Sequence, residues 1–121
     1  MRLPSRLRLK ESRDFARMKE QGVSQAGRFL VLAVSRQEGL EEFRFGLVTG
    51  KKLGPAVVRN RLRRQLREVV RAHRAEIAPG FHLVIIGRWR APTAEFKELE
   101  ADWLRLAGRL GLLLKPAPRS P

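Results

Sequence analysis

The sequence predicts one α+β domain, a two-layer sandwich of helices on a small sheet, from three observations. Apolar residues recur at helical spacing in two long stretches, residues 56–77 and 93–113. Three runs rich in Val, Ile, Leu and Phe, at 28–36, 43–49 and 81–87, have the length and composition of strands. The chain has 121 residues, 43% of them apolar, which suffices for one core and leaves little room for a second. Residues 1–114 are therefore expected to form a single domain, with a frayed tail at 115–121.

Each element has its own local signals. A basic lead-in carries Arg2, Arg6, Arg8 and Lys10. Ser12 then caps a short helix from Arg13 to Glu20, which Gly22 closes. Phe15 and Met18 sit three apart on that helix and share a face. Arg28 to Arg36 is a strand buried on both faces, and Gln37 to Glu42 is a polar turn with Gly39. Phe43 to Thr49 follows as a second strand, and so short a link predicts an antiparallel hairpin. After the loop Gly50 to Gly54, Pro55 suits the first turn of a helix running from Ala56 to Ile77 and stopping before Pro79 and Gly80. Phe81 to Gly87 is the third strand. Thr93 caps a last helix, with Phe96, Leu99, Trp103, Leu106 and Leu110 on its apolar face.

Charge is the dominant compositional fact. The formal net charge is +14, from 26 Lys and Arg against 12 Asp and Glu. Such a domain repels itself when compact, and the usual reason is a polyanionic partner. Nucleic acid leads that class, and an anionic membrane surface comes second. No apolar run approaches the ~20 residues needed to span a bilayer, and the first ten residues lack the apolar stretch of a signal peptide. A soluble cytoplasmic protein is expected. The absence of cysteine excludes disulfides, Cys-ligated zinc and thiol catalysis.

The charge is concentrated. Residues 51–74 hold nine basic residues (Lys51, Lys52, Arg59, Arg61, Arg63, Arg64, Arg67, Arg71 and Arg74) against the single acid Glu68, a local net of +8. At about 100° per residue, Val58, Leu62, Leu66, Val69, His73 and Ile77 share one arc of the helix. Asn60, Arg63, Arg64, Arg67, Arg71 and Arg74 share the opposite arc. One face is made to pack, and the other presents guanidinium groups. Like charges at i,i+4 each destabilise a helix by a few tenths of a kcal/mol, so a purely solubilising face would interleave acids. Arginine also dominates over lysine, as suits a surface that grips phosphates with a planar fork and stacks on bases.

Other residues carry less. His73 lies on the packing side of the basic helix, and His82 has no acidic or Cys neighbour that suggests a metal site. Glu95, Glu98, Glu100 and Asp102 read as a solvated face of the last helix. The 50–54 loop lacks the spacing of a phosphate-binding Walker loop. Trp103 has core spacing with Leu99 and Leu106, whereas Trp89, between Arg88 and Arg90, stays open between surface residue and stacking platform. No protein catalytic residue is expected.

The stretch from Phe45 to Glu68 (FGLVTGKKLGPAVVRNRLRRQLRE) closely resembles the signature of the ribonuclease P protein subunit: a glycine-containing strand, a Lys-Lys loop, Ala-Val and an Arg-Asn-Arg helix. The likeness extends to residues 9–15 (LKESRDF) and to 22–35, and so to nearly the whole chain. The resemblance implies a sandwich similar to a domain of ribosomal protein S5, with a mixed sheet and a left-handed βαβ crossover against the general preference. It implies a catalytic RNA that uses Mg²⁺ to remove the 5′ leader of precursor tRNA, with the protein assisting. Ribonuclease P RNA and precursor tRNA are the implied partners, with no membrane and no obligate protein partner. Lys51, Lys52, Arg59, Asn60, Arg61, Arg63, Arg64, Arg67 and Arg71 would bind RNA, while Phe15, Arg17 and Lys19 would line the leader cleft. The sequence departs from the family at two cleft aromatics, which are Lys19 and Ala33 here. A rival reading is a domain that coats structured RNA without a catalytic role. A second rival, a helix reading a DNA groove, fits poorly because the arginines fill so broad a face.

Overall fold

The computed structural model describes residues 3–9, 18 and 22–114. Its elements, in order, are β1 (Val23–Ala26), β2 (Leu30–Arg36), β3 (Arg44–Val48), α1 (Ala56–Ala72), β4 (Phe81–Gly87) and α2 (Phe96–Arg109). The expected α+β sandwich is present: α1 and α2 pack on one face of a four-stranded mixed sheet of order β1-β2-β4-β3. The expected helix at 13–20 lies outside the described residues apart from Met18, which is buried, and so does the 115–121 tail.

The sheet corrects the expected hairpin. β2 does not pair with β3; both pair with β4, antiparallel and parallel respectively. The hairpin is instead β1–β2, turning through Gly27 to Phe29. The reason lies in the polar 37–42 loop, which straddles the start of β4. The Gln37 N–H donates to the Gly80 carbonyl at 2.8 Å, and the Gly80 N–H donates to the Glu42 carbonyl at 2.9 Å. Gly80 can sit there because its φ of 85° suits a residue without a Cβ. β4, carrying Leu83, Val84 and Ile85 with both faces covered, thus takes the central place where its backbone pairs on both sides.

Register then determines which side chains meet. Val34, Leu83 and Phe45 align across the sheet, as do Leu32, Ile85 and Leu47. These rows meet Leu62, Leu66, Val69 and Val70 of α1 and Leu99, Trp103 and Leu106 of α2 in the main core. Truncating a fully buried leucine such as Leu66 to alanine would cost ~2–5 kcal/mol. On the opposite face, Ala33 and Val84 form a smaller cluster with Leu9 and Met18.

Two helix boundaries differ from expectation. α1 ends at Ala72, and a 3₁₀ turn at Arg74–Glu76 follows. Ile77 reaches the core from an isolated bridge with Leu113, not from the helix face. α2 starts later than Thr93, because Glu95 and Glu98 form a reciprocal capping box that satisfies the first free N–H groups. Asp102 is not part of a solvated face, since it is 2% exposed. Nor is Glu100 free, as it accepts from His73 Nε2 at 2.9 Å.

Candidate nucleic-acid interface

The basic segment begins where β3 runs out. Thr49 is buried, Gly50 leads into a 3₁₀ turn at Lys51–Leu53, and the half-buried Leu53 packs against the core. That anchor leaves Lys51 and Lys52 exposed. Gly54, with φ of 136°, redirects the chain into α1, where Pro55 takes the cap position.

The first half of α1 holds its arginines by uncharged oxygens. Arg59 Nε donates to the Gly54 carbonyl at 3.1 Å, and an Arg61 terminal nitrogen donates to the Pro92 carbonyl at 3.1 Å. Arg63 donates to Thr49 Oγ1 at 2.9 Å and to Asn60 Oδ1. A carbonyl or hydroxyl orients a guanidinium without cancelling its charge, so these groups are positioned yet still able to bind an anion.

The second half faces a hollow of about 680 Å³ beside the N-terminal segment, lined by Arg8, Phe45, Arg64, Arg67, Glu68 and Arg71 among others. Arg67 Nε is buried there with no hydrogen-bond partner among the described residues. Burial, and then the charges of Arg8, Arg63 and Arg64, hold the Arg67 guanidinium below its usual pKa. Arginine keeps its proton regardless, so the site stores repulsion that a bound anion would relieve. Arg71 differs, since it pairs with Glu68, and the two raise and lower each other's pKa through that hydrogen bond. Arg74 lies 3.5 Å from Glu42, which also pairs with Arg6 at 3.0 Å. Among the described residues, these are the two basic side chains of the 51–74 segment with a carboxylate partner.

All nine expected RNA-binding residues thus lie on α1 or the turn that leads into it. Phe15, Arg17 and Lys19 lie outside the described residues. Ala33 sits on the sheet face away from the two helices. Two participants, Arg8 and Thr49, were not among the candidates. Arg8 belongs to the basic lead-in but reaches the site only through a parallel bridge to Phe45, and nothing in its sequence context announces that. His73 is a packed residue, stacked on Trp103 at 5.8 Å between ring centroids and bonded to Glu76 and Glu100.

With this geometry in place, comparison with known proteins decides the family. A family model described as Ribonuclease P matches residues 3–111. The chain belongs to the ribonuclease P protein family. The ribonuclease P protein component of Acidothermus cellulolyticus is 41% identical over 109 residues, covering 89% of this chain and 91% of that one. That of Syntrophomonas wolfei is 32% identical over 115 residues, with 95% and 96% covered. Among solved structures, the Staphylococcus aureus RNase P protein superposes with a TM-score of 0.83 at 27% identity, over 89% of this chain and 98% of that one. The Thermotoga maritima protein gives 0.74 at 29% identity, over 90% and 96%. As a member of the ribonuclease P family, the chain is a subunit of a ribonucleoprotein endonuclease that processes the 5′ end of tRNA, and ribonuclease P RNA is its partner. No helix among the described residues is long and apolar enough to cross a membrane.

Proposed function

We propose that the arginine face of α1, continued by Lys51 and Lys52, is the surface that grips the ribonuclease P RNA, and that the RNA performs the cleavage of precursor tRNA. The observation that carries this reading is the convergence of Arg8, Arg63 and Arg64 on Arg67, whose Nε is buried and unpartnered among the described residues. Four like charges held together by a folded core call for phosphate, and phosphodiester oxygens match the guanidinium fork. Asn60 and Arg63 continue the same face toward the turn at Lys51 and Lys52, with Arg59 and Arg61 at its two edges.

Mg²⁺ would serve the RNA. A hard dication needs several oxygen ligands, and among the described residues no three His, Cys, Asp or Glu side chains gather as such a set. The hollow, with four arginines against the single carboxylate Glu68, would repel it. By family resemblance, Phe15, Arg17 and Lys19 would contact the 5′ leader.

The test is cleavage of precursor tRNA at low Mg²⁺ by a bacterial ribonuclease P RNA, with and without the protein. Stimulated cleavage at the mature 5′ end is expected, with none from the protein free of RNA. Tight RNA binding without stimulation would reduce the protein to a coating module, and cleavage by the protein alone would overturn the assignment of catalysis to the RNA.

A further inference from the structure

Trp89 presents an indole to solvent at the end of β4, and it is 70% exposed, against 0% for Trp103. Arg90 lies over its ring, 4.5 Å from the centroid. Burying no core and yet ordered by a cation, this aromatic is set in a distinctly basic turn. From Phe81 to Ala94 the chain carries Arg88 and Arg90 and no carboxylate.

The turn is built firmly. The Arg88 backbone N–H donates to the Phe29 carbonyl at 2.9 Å, and its guanidinium donates to the Gly27 carbonyl at 2.6 Å. Ala91 is fully buried, and the Ala91–Thr93 3₁₀ turn follows immediately. Arg61 of α1 reaches across to the Pro92 carbonyl. A Cβ on Gly87 would stand 3.1 Å from both Leu53 and Leu62, so this turn packs against the Lys51–Leu53 turn and the first half of α1. The turn that carries Trp89 therefore lies beside the Lys51–Leu53 turn and Arg61.

We propose that Trp89 and Arg90 form a stacking platform for one unpaired nucleotide of the ribonuclease P RNA, with Arg61 and Arg88 at its flanks. The inference rests on the reading of α1 as the RNA-gripping face, and adds to it a contact made by stacking instead of charge. Charge complementarity selects the occupant: an exposed indole with Arg90 over its ring, in a stretch from Phe81 to Ala94 that carries arginines and no carboxylate, suits a base attached to a phosphate, because every base offers a π-face and every linkage an anion. Ribonuclease P RNA is the source because the turn is fastened to the helix proposed to hold that RNA.

The experiment measures binding of a bacterial ribonuclease P RNA to the full chain across a range of salt, for the unmodified protein and for Trp89→Ala, Trp89→Phe and Arg63→Ala. Because Trp103 is sealed in the core, quenching of tryptophan emission on adding RNA reports Trp89. Trp89→Ala is expected to weaken binding about 5- to 150-fold, the range for one stacked base, with the salt slope unchanged and the thermal midpoint preserved. Trp89→Phe should recover most of the loss. Affinity within twofold of the unmodified protein would overturn the proposal, as would a flattened salt slope, which would mean that Trp89 acts through phosphate contacts. A loss confined to precursor-tRNA binding by the assembled enzyme would overturn the choice of RNA. Arg63→Ala keeps the two readings apart: if it weakens binding while Trp89→Ala does not, the platform fails and the α1 assignment stands.

Discussion

The Asp102 carboxylate of α2 accepts the backbone N–H of Phe29 at 2.9 Å, clamping the last helix to the β1–β2 turn. The same carboxylate takes the N–H groups of Leu30 at 3.0 Å and Arg28 at 3.2 Å, and Arg105 pairs with its other side. A buried charge is tolerable only when so fully satisfied. Because Arg88 also binds this turn, through Gly27 and Phe29, the clamp supports the turn that carries Trp89.

Asp102→Ala should lower the unfolding free energy by ~2–4 kcal/mol, since it strands backbone donors that are otherwise buried and paired. Gly27→Ala should act through the same contact, because its Cβ would collide with the carboxylate, at a cost of ~1–3 kcal/mol. Denaturant melts of both variants check this, and a loss below about 0.5 kcal/mol for Asp102→Ala, the ordinary surface value, would refute the clamp.

The arginines should not be equivalent. Arg63→Ala and Arg67→Ala are each expected to weaken RNA binding and to reduce the salt slope by roughly one phosphate contact. Arg71→Ala should do less, because Glu68 already occupies that guanidinium. Measured slopes of log affinity against log salt for the three variants decide the order. Arg67→Ala should leave the unfolding midpoint unchanged or raised, since it removes the repulsion from Arg8, Arg63 and Arg64.

His73 joins the end of α1 to α2, facing Glu76 and Glu100. Burial works against its protonation, but the hydrogen bonds and negative charges of Glu76 and Glu100 prevail and raise its pKa. A raised folded-state pKa contributes stability that is fully present below the unfolded value of about 6.5 and is lost as pH rises through the folded value. Stability should therefore fall on going from acidic pH through neutrality, and Glu100→Gln should shrink that fall. Unfolding curves across this window, with and without the substitution, provide the check.

Gly54→Ala should disturb the site through the backbone. Its φ of 136° strains any residue with a Cβ, at ~1–3 kcal/mol, and its carbonyl holds Arg59. A drop in thermal midpoint accompanied by weaker RNA binding is expected. Unchanged values in both would show that the turn adapts.

The elements with long, regular patterns were legible in the residue order. The apolar arc of α1 at Leu62, Leu66 and Val69, the Phe81–Gly87 strand and the buried Trp103 all follow from periodicity and composition, because burial of one face needs that spacing. The concentration of arginine at 59–71 was equally visible, since like charge on one helical face is a local property. Pairing partners were not legible. The short link between β2 and β3 looks like a hairpin, yet Gly80 inserts between its ends and brings β4 from more than thirty residues away. Asp102 looked solvated because the N–H groups it satisfies lie more than seventy residues earlier, and Arg8 joined the interface through a bridge to Phe45. Which faces bury apolar surface and where positive charge collects could be read along the chain, because both depend on spacing within one element. Strand neighbours, the carboxylate that binds backbone N–H groups and the Arg67 Nε left without a partner among the described residues depend on contacts between residues distant along the chain, and so arise only on folding.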